Sequence, residues 1–196
     1  MPISNNGVIK RTKYLSYIIA ALLVVFICIF YIVTISLSSK TNSELTNIET
    51  YPFPVVVAAG YVDTNVAEMR MLTERLEYVS EAAAIDKITS HFQNIRVTVN
   101  ENAQIIVDRY STSPADAKKM YDLLQEVAVK QDELINLCLD AHITNIEISA
   151  YTKENITPLY DEISDYVNIF IKNASHSFDK FYESANSNYK LNTILA

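Results

Sequence analysis

An apolar run without a charged side chain, from Tyr14 to Leu37, constrains this chain more than any other feature. It holds about 24 residues, and a helix of that length extends roughly 36 Å, enough to cross a hydrocarbon layer about 30 Å thick. Its polar groups are hydroxyls and one thiol, which can bond to helix carbonyls. Tyrosines lie toward both ends of the run, where aromatic side chains collect at membrane surfaces. The run therefore predicts a transmembrane helix over residues 14–37.

The charges beside this run predict its orientation. Lys10, Arg11 and Lys13 precede it, whereas the first basic residue after it is Lys40. Because basic flanks are retained on the cytoplasmic side, residues 1–13 are predicted to form a cytoplasmic tail, with the bulk of the chain outside the cell membrane. A cleaved signal peptide is the alternative, but signal peptides carry apolar segments of only about 7 to 15 residues. We therefore expect a retained, single-pass anchor.

The segment after the run is acidic. Residues 1–37 contain 3 of the 16 Lys+Arg and none of the 23 Asp+Glu, so residues 38–196 carry 13 positive and 23 negative charges, net −10. A surface of that sign repels nucleic acid, and the sequence has no basic stripe, so no nucleic-acid partner is expected. The acidic segment, about 159 residues, is long enough for one domain with its own core.

Glycine is nearly absent from the acidic segment, which excludes most β-hairpin turns. Gly60 is its only glycine, so an all-α domain is predicted. The β-branched runs at 97–99 and 105–107 could argue for strands, but no turn signal separates them and helical spacing continues between them.

The sequence contains two cysteines, and their positions limit which disulfides can form. Cys28 lies in the apolar run and Cys138 is alone in the acidic segment, so no disulfide within one chain is expected. Cys138 is interpreted as a small buried residue, with a disulfide between two copies as the alternative.

Apolar residues at three- and four-residue spacing predict four helices after residue 50. Residues 38–50 are expected to continue the helix of the apolar run, and Tyr51–Pro54 to break it, since two prolines remove amide donors and force extended or kinked backbone. We predict an all-α chain, with an N-terminal transmembrane helix followed by an antiparallel four-helix bundle. The predicted helices cover residues 55–84, 86–110, 114–143 and 145–196.

The apolar stripes of these helices are their predicted core. In the first helix they are Val62, Val66, Met69, Leu72, Leu76 and Val79; in the third they are Met120, Leu124, Val127, Leu134, Cys138 and Ala141, with Gln131 as a polar insertion.

Two signals refine the boundaries. Ser113, Pro114 and Asp116 predict a helix start, as N-cap, first helical residue and first-turn carboxylate. Pro158 predicts either a kink or a helix start just before it. A final helix that continues to Ala196 spans roughly 39 residues, so its end should project back toward the membrane. We expect the chain to be the front of a longer protein whose second transmembrane helix begins there.

Four segments carry a resemblance to a known family: Tyr51–Pro54, Glu68–Leu72, Ser113–Asp116 and Phe181–Ala185. With the anchor, their order and spacing resemble the four-helix-bundle sensor domain of methyl-accepting chemotaxis receptors, over most of residues 14–196. The same input module is joined to sensor histidine kinases and diguanylate cyclases. The resemblance implies a sensory input role in a homodimer that binds a small molecule or a protein. No linker domain, methylation helix or catalytic module is present in these residues, so the output stays open.

Few residues suggest chemistry. His91, His142 and His176 have no metal-ligand spacing and are expected near the surface, so no metal is predicted. Carboxylates at 161, 162 and 165 share a helix face that could bind a cation, although a solvated charged face is the favoured interpretation. No catalytic grouping and no glycine-rich phosphate loop occur, so neither an enzyme nor a cofactor is predicted.

Four arginines on the first two predicted helices are the candidates for ligand binding. Arg70, Arg75 and Arg96, with Arg109, could clamp a ligand carboxylate bidentately between subunits, as the resemblance invites. Ordinary ion pairs on helix surfaces are the favoured alternative. Two function hypotheses follow: a receptor that passes a signal through the membrane by helix displacement, and a membrane-anchored helical interaction or structural protein without signalling output.

Overall fold

Most of the described residues are helical. The computed structural model describes residues 5–195, with side chains from residue 14 to residue 194, and no β-strand occurs in that range. The all-α prediction is therefore confirmed for this part of the chain. The six helices are α1 (Asn5–Thr50), α2 (Pro52–Leu76), α3 (Ala82–Arg109), α4 (Pro114–Leu139), α5 (Asn145–Asn155) and α6 (Thr157–Leu195).

The helices contribute to two compact units. The terminal unit contains residues up to Thr46 and residues from Phe181 onward, and the central unit is Asn47–Lys180. In the terminal unit, the apolar stretch of α1 is long and apolar enough to cross a membrane. Most of its large side chains are exposed, for example Leu22 at 63% and Phe26 at 66%.

Two side-chain hydrogen bonds join α1 and α6 in the terminal unit. Ser184 Oγ donates to Glu44 Oε1 at 3.1 Å, and Asn192 Nδ2 donates to Ser38 Oγ at 3.0 Å. Asn188 is buried, and its Nδ2 has no hydrogen-bond partner among the described residues. The terminal unit thus buries an amide group without a partner among the described residues.

The core of the central unit draws apolar side chains from α2, α3, α4, α5 and α6. The predicted stripe of α2 is buried through Leu76, and that of α4 through Leu134. Val79 and Cys138 are half-buried, and Ala141 is exposed beyond the end of α4. The largest fully buried side chains are Tyr110, Tyr160, Phe92, Phe170, Met69, Leu76, Ile85, Ile106, Met120, Leu134, Ile156 and Ile163.

Two helices end earlier than predicted. Helix α2 ends at Leu76 rather than near residue 84, because Ile85 on α3 must reach the same core and the chain needs residues 77–81 to turn. Helix α4 ends at Leu139 rather than Ile143. There Asp140 Oδ1 accepts from the His142 backbone N–H at 2.9 Å, a side-chain turn that competes with further helix.

The prolines act as helix starts. The predicted break at Tyr51–Pro54 falls at Tyr51 (φ −126°, ψ −74°), between α1 and α2, and the backbone of residues 52–54 is helical rather than extended. A proline in the first turn lacks only an amide that has no helical partner there. Pro158 likewise lies in the first turn of α6, and the predicted helix start before it is confirmed at Thr157.

The predicted start of α4 is confirmed in part. Pro114 is its first residue and Asp116 lies in its first turn, but the Ser113 side chain makes no capping hydrogen bond. The Ser113 carbonyl accepts from the Asp116 and Ala117 amides instead, at 3.1 and 3.3 Å.

Candidate functional site

A chain of hydrogen bonds crosses the core of the central unit and joins four helices. It contains Thr73 of α2, Arg96 of α3, Gln131 of α4 and Tyr160 of α6. Gln131 has no exposed surface, and Thr73 and Tyr160 are each 1% exposed. Burial of so many polar groups is tolerated only where each is bonded, so their arrangement constrains how the four helices meet.

The hydrogen bonds run in one direction. Thr73 Oγ1 donates to the Met69 carbonyl at 2.8 Å, so Tyr160 must supply the hydrogen of its 2.9 Å bond to Thr73. The Tyr160 hydroxyl accepts in turn from Gln131 Nε2 at 2.7 Å. Gln131 Oε1 accepts from Nε and Nη2 of Arg96 at 3.1 and 2.9 Å. The chain therefore starts at a cation and ends at a helix carbonyl.

Tyr160 is the centre of this chain. Burial raises the pKa of Tyr160 to about 12, although the hydrogen bond that its hydroxyl accepts from Gln131 acts in the opposite sense. The phenol therefore stays protonated at physiological pH and keeps its donor role. The Arg70 guanidinium lies 5.5 Å from the centre of the Tyr160 ring, a cation–π contact.

Arg70 also borders a groove between α2 and α6. Its Nη2 lies 2.6 Å from Asp161 Oδ1, and both residues line an open groove of about 430 Å³. Asp63 and Glu74 add two more carboxylates, and neither has an ion-pair partner among the described residues. The apolar part of the lining is Val66, Ala67 and Met71.

The structure brings two of the candidate arginines together and leaves the others apart. Arg70 and Arg96 flank Tyr160, whereas Arg75 lines a small pocket of about 80 Å³ with Lys87 and His91. Arg109 is exposed at the end of α3. No common clamp of Arg70, Arg75 and Arg96 forms within the described part of this chain.

Arg96 is fully engaged within the chain. Besides Gln131, its guanidinium donates to the Ala128 carbonyl at 2.9 Å and pairs with Asp132 at 2.9 Å. Arg70 is likewise paired with Asp161, so both arginines form ion pairs within the chain.

The predicted acidic face on α6 is divided between two ion pairs. Asp161 binds Arg70, and Glu162 lies 2.5 Å from Lys119 Nζ. The described residues contain no cluster of three potential metal ligands. All three histidines are exposed, as predicted, and His91 Nε2 lies 3.1 Å from Glu68.

Cys138 lies near the turn that follows α4. It is half-buried rather than buried, and its thiol is 3.8 Å from the Leu76 carbonyl. Burial, with a smaller contribution from Glu77, raises the pKa of the Cys138 thiol to about 11. It borders a cavity of about 340 Å³ shared with Val79 and Ile148.

The sequence pattern pointed to one of the buried polar residues and missed the others. Gln131 interrupts a stripe of apolar positions, which is the usual signal of a specific polar contact in a helical core. Thr73 and Tyr160 carry no such signal, because threonine and tyrosine occur on both buried and exposed helix faces.

Comparison with protein-family models, with curated proteins and with solved structures finds no match to this chain in any of the three.

Proposed function

We propose that this chain is the input region of a bacterial, membrane-bound signal-transduction receptor of the chemoreceptor type. One observation carries the proposal: most large apolar side chains in the uncharged stretch of α1 are exposed, and the segment that follows this stretch in the sequence is helical and acidic. A helix of this kind is stable where lipid replaces water around it. In this proposal residues 14–37 span the cell membrane, residues 1–13 are cytoplasmic, and the acidic remainder lies outside.

The sensor region of the proposal is an antiparallel bundle of α2, α3, α4 and α6. The hydrogen-bond chain supports it, because Thr73, Arg96, Gln131 and Tyr160 supply one member from each helix. Helix α5 covers the start of the fourth predicted helix, residues 145–196, which the structure divides into α5 and α6. Side-chain packing of four amphipathic helices around shared apolar positions is the usual basis of such bundles.

The proposed mechanism is a shift of α6 against α1. A ligand or partner that binds one arrangement of the central unit more tightly raises the population of that arrangement, by no more than its difference in affinity. The polar contacts of the terminal unit, Ser38 with Asn192 and Glu44 with Ser184, would exchange partners during such a shift. The homodimer stays a prediction within this proposal, and the chain has no enzymatic role in it.

Protease accessibility tests the membrane arrangement. Protease added to intact cells is expected to digest the region after residue 37, whereas a tag placed before Lys10 should be cut only after the cells are opened. Protection of the acidic segment in intact cells would contradict the proposal.

Disulfide mapping tests the helix shift. In a background without Cys28 and Cys138, S38C is paired with N192C, or with N188C one turn earlier on α6. Compounds are first selected as those that raise the unfolding temperature of the full chain in detergent. We expect such a compound to change the ratio of the two crosslinks about threefold or more. Binding compounds that leave the ratio unchanged would exclude the mechanism.

A further inference from the structure

Helix α2 is apolar on two opposite faces. One face is in the core, where Val62, Val66 and Met69 are at most 2% exposed. The other face, which we call the outward stripe, consists of Phe53, Val57, Gly60, Thr64, Ala67 and Met71.

The outward stripe is exposed and uncharged. Phe53 is 57% exposed, Val57 42% and Met71 60%. A Cβ atom added at Gly60 would meet nothing within 4 Å, so this position faces open space. The Thr64 hydroxyl already donates to the Gly60 carbonyl at 2.9 Å. Single exposed apolar residues are ordinary, but an uncharged row over roughly five turns marks a contact surface.

The spacing of the outward stripe specifies what can cover it. From Phe53 to Met71 the steps alternate between four and three residues, the repeat that lets one helix lie along another. Gly60, Thr64 and Ala67 in the middle are small and permit close approach, with Phe53 and Met71 as larger side chains at the ends. A helix fits this row better than an extended peptide or a flat surface.

The charges beside the stripe specify the sign of the charge that the partner should carry. The stripe continues into the α2–α6 groove, where Asp63, Glu74 and Asp161 face a single arginine, Arg70. Arg70 is bound to Asp161, which leaves the carboxylates of Asp63 and Glu74 unpaired within the described part of the chain. Basic residues on the partner helix would pair with them, and the acidic charge of the whole segment would attract such a partner from a distance.

A second copy of this chain is a poor occupant. When two α2 helices pair in parallel on this stripe, residues five positions apart meet at its edges. Asp63 then faces Glu68 of the other copy, and Arg70 faces Arg75. Like charges in both pairs oppose the association.

We infer that the outward stripe of α2 is the docking surface for a basic amphipathic helix of another protein. The inference does not depend on signalling, and it is compatible with a homodimer formed through other surfaces.

Binding of two synthetic helices tests this inference. Each peptide has about 21 residues with leucine and alanine alternating along its contact face, and carries either lysine or glutamate at the flanking positions. Anisotropy of the labelled peptides is measured with the full chain in nanodiscs of zwitterionic lipid. We expect the lysine peptide to bind at least about tenfold more tightly than the glutamate peptide at low salt, with a smaller difference at about 0.5 M salt.

Variants of the chain locate the binding. Gly60→Leu, which has room in the free protein, and Met71→Glu should each abolish tight binding of the lysine peptide. The double variant Asp63→Lys, Glu74→Lys should invert the preference between the peptides. Val97→Glu on α3 and Val129→Glu on α4 are matched controls at similarly exposed positions and should leave binding unchanged. Circular dichroism verifies that each variant remains folded.

Three results would overturn the inference. The first is equal affinity for the two peptides, or no binding of either. The second is tight binding that survives both Gly60→Leu and Met71→Glu in folded chains. The third is a dimer of the full chain, seen by sedimentation, that Met71→Glu dissociates, since the stripe would then join two copies.

Discussion

At the residue scale, Tyr160 and Gln131 form the central link of the hydrogen-bond chain in the core. Gln131 Nε2 and the Tyr160 hydroxyl are 2.7 Å apart in an interior that consists mostly of apolar side chains. A buried donor or acceptor that loses its partner retains the full cost of leaving water. Each member of the hydrogen-bond chain therefore depends on its neighbours, and replacement of one member should weaken the bonds of the others.

Tyr160→Phe tests this dependence. The change removes one oxygen and leaves Gln131 Nε2 without its acceptor, so we expect the free energy of unfolding to fall by about 1–3 kcal/mol. Thermal unfolding of the full chain in detergent, followed by circular dichroism, measures the effect. Tyr78→Phe is the matched control, since Tyr78 is 81% exposed. Equal effects of the two variants would contradict the role assigned to the Tyr160 hydroxyl.

Cys138 makes a second prediction at this scale. With a thiol pKa of about 11, against 9.0 for an unshifted thiol, the reactive thiolate at pH 8 is about 100-fold scarcer. Reaction with a thiol reagent should be slow at pH 8 and should keep accelerating beyond pH 10. The rate is measured on a chain in which Cys28 is replaced by alanine. A rate that is half-maximal near pH 9, the unshifted pKa of a thiol, would show that Cys138 is not desolvated.

At the element scale, helix ends depend on side chains that apolar spacing does not reveal. Helix α5 begins with a capping box: the Glu147 amide donates to Thr144 Oγ1 at 3.3 Å, and the Thr144 amide donates to Glu147 Oε2 at 2.8 Å. Ser113 precedes Pro114 in a sequence that suits a cap equally well, yet its side chain makes no such bond. The two helix starts thus form a natural comparison.

Thr144→Ala should destabilise the chain more than Ser113→Ala. Loss of an N-cap hydrogen bond typically costs about 1 kcal/mol, and only Thr144 makes one. The hydrogen bonds from Thr144 lower the pKa of Glu147 below 4.5. Stabilisation from a carboxyl with a lowered pKa is present above pH 4.5 and is lost as the pH falls through the folded-state pKa. The difference between Thr144→Ala and the wild type, measured by thermal unfolding, should therefore shrink in acid; a constant difference would exclude the Glu147 contribution.

At the scale of the whole molecule, the interiors of the two units differ in chemistry. The central unit has a continuous apolar core with one unpartnered buried hydroxyl, Thr152 Oγ1. The described part of the terminal unit instead has two unpartnered buried amide atoms, Asn188 Nδ2 and Asn192 Oδ1. Buried polar groups of this kind lower stability, and in paired helices they can specify one register. The terminal unit is therefore expected to be the less stable of the two.

Asn188→Leu should stabilise the terminal unit, because it replaces an unpartnered amide with an apolar side chain of similar size. Hydrogen exchange of the full chain in detergent should show slower exchange in residues 38–46 and 181–194, with the central unit unchanged. Tyr160→Phe should instead change exchange in the central unit, where exchange should become faster, and leave the terminal unit unchanged. Asn168→Leu, at an exposed position, is the control. Faster exchange in the terminal unit of Asn188→Leu would contradict this account.

Local patterns were sufficient to predict the helices and most of the apolar core. Spacing of three and four residues placed Val62 through Leu76 and Met120 through Leu134 on buried faces, and prolines 114 and 158 marked helix starts. These features depend on neighbours along one helix, so the sequence contains them directly. The predicted ends near residues 84 and 143 were wrong, because a helix ends where the chain must turn to reach a shared core.

The polar contacts inside the protein could be identified only from the folded arrangement. Arg96, Gln131, Tyr160 and Thr73 come from four different helices and are separated by up to 87 positions, so no local pattern relates them. The same holds for Arg70 with Asp161, and for the separation of Arg75 from both. Periodicity determines which face of a helix is apolar; which polar groups meet inside the protein depends on how the helices are placed against one another.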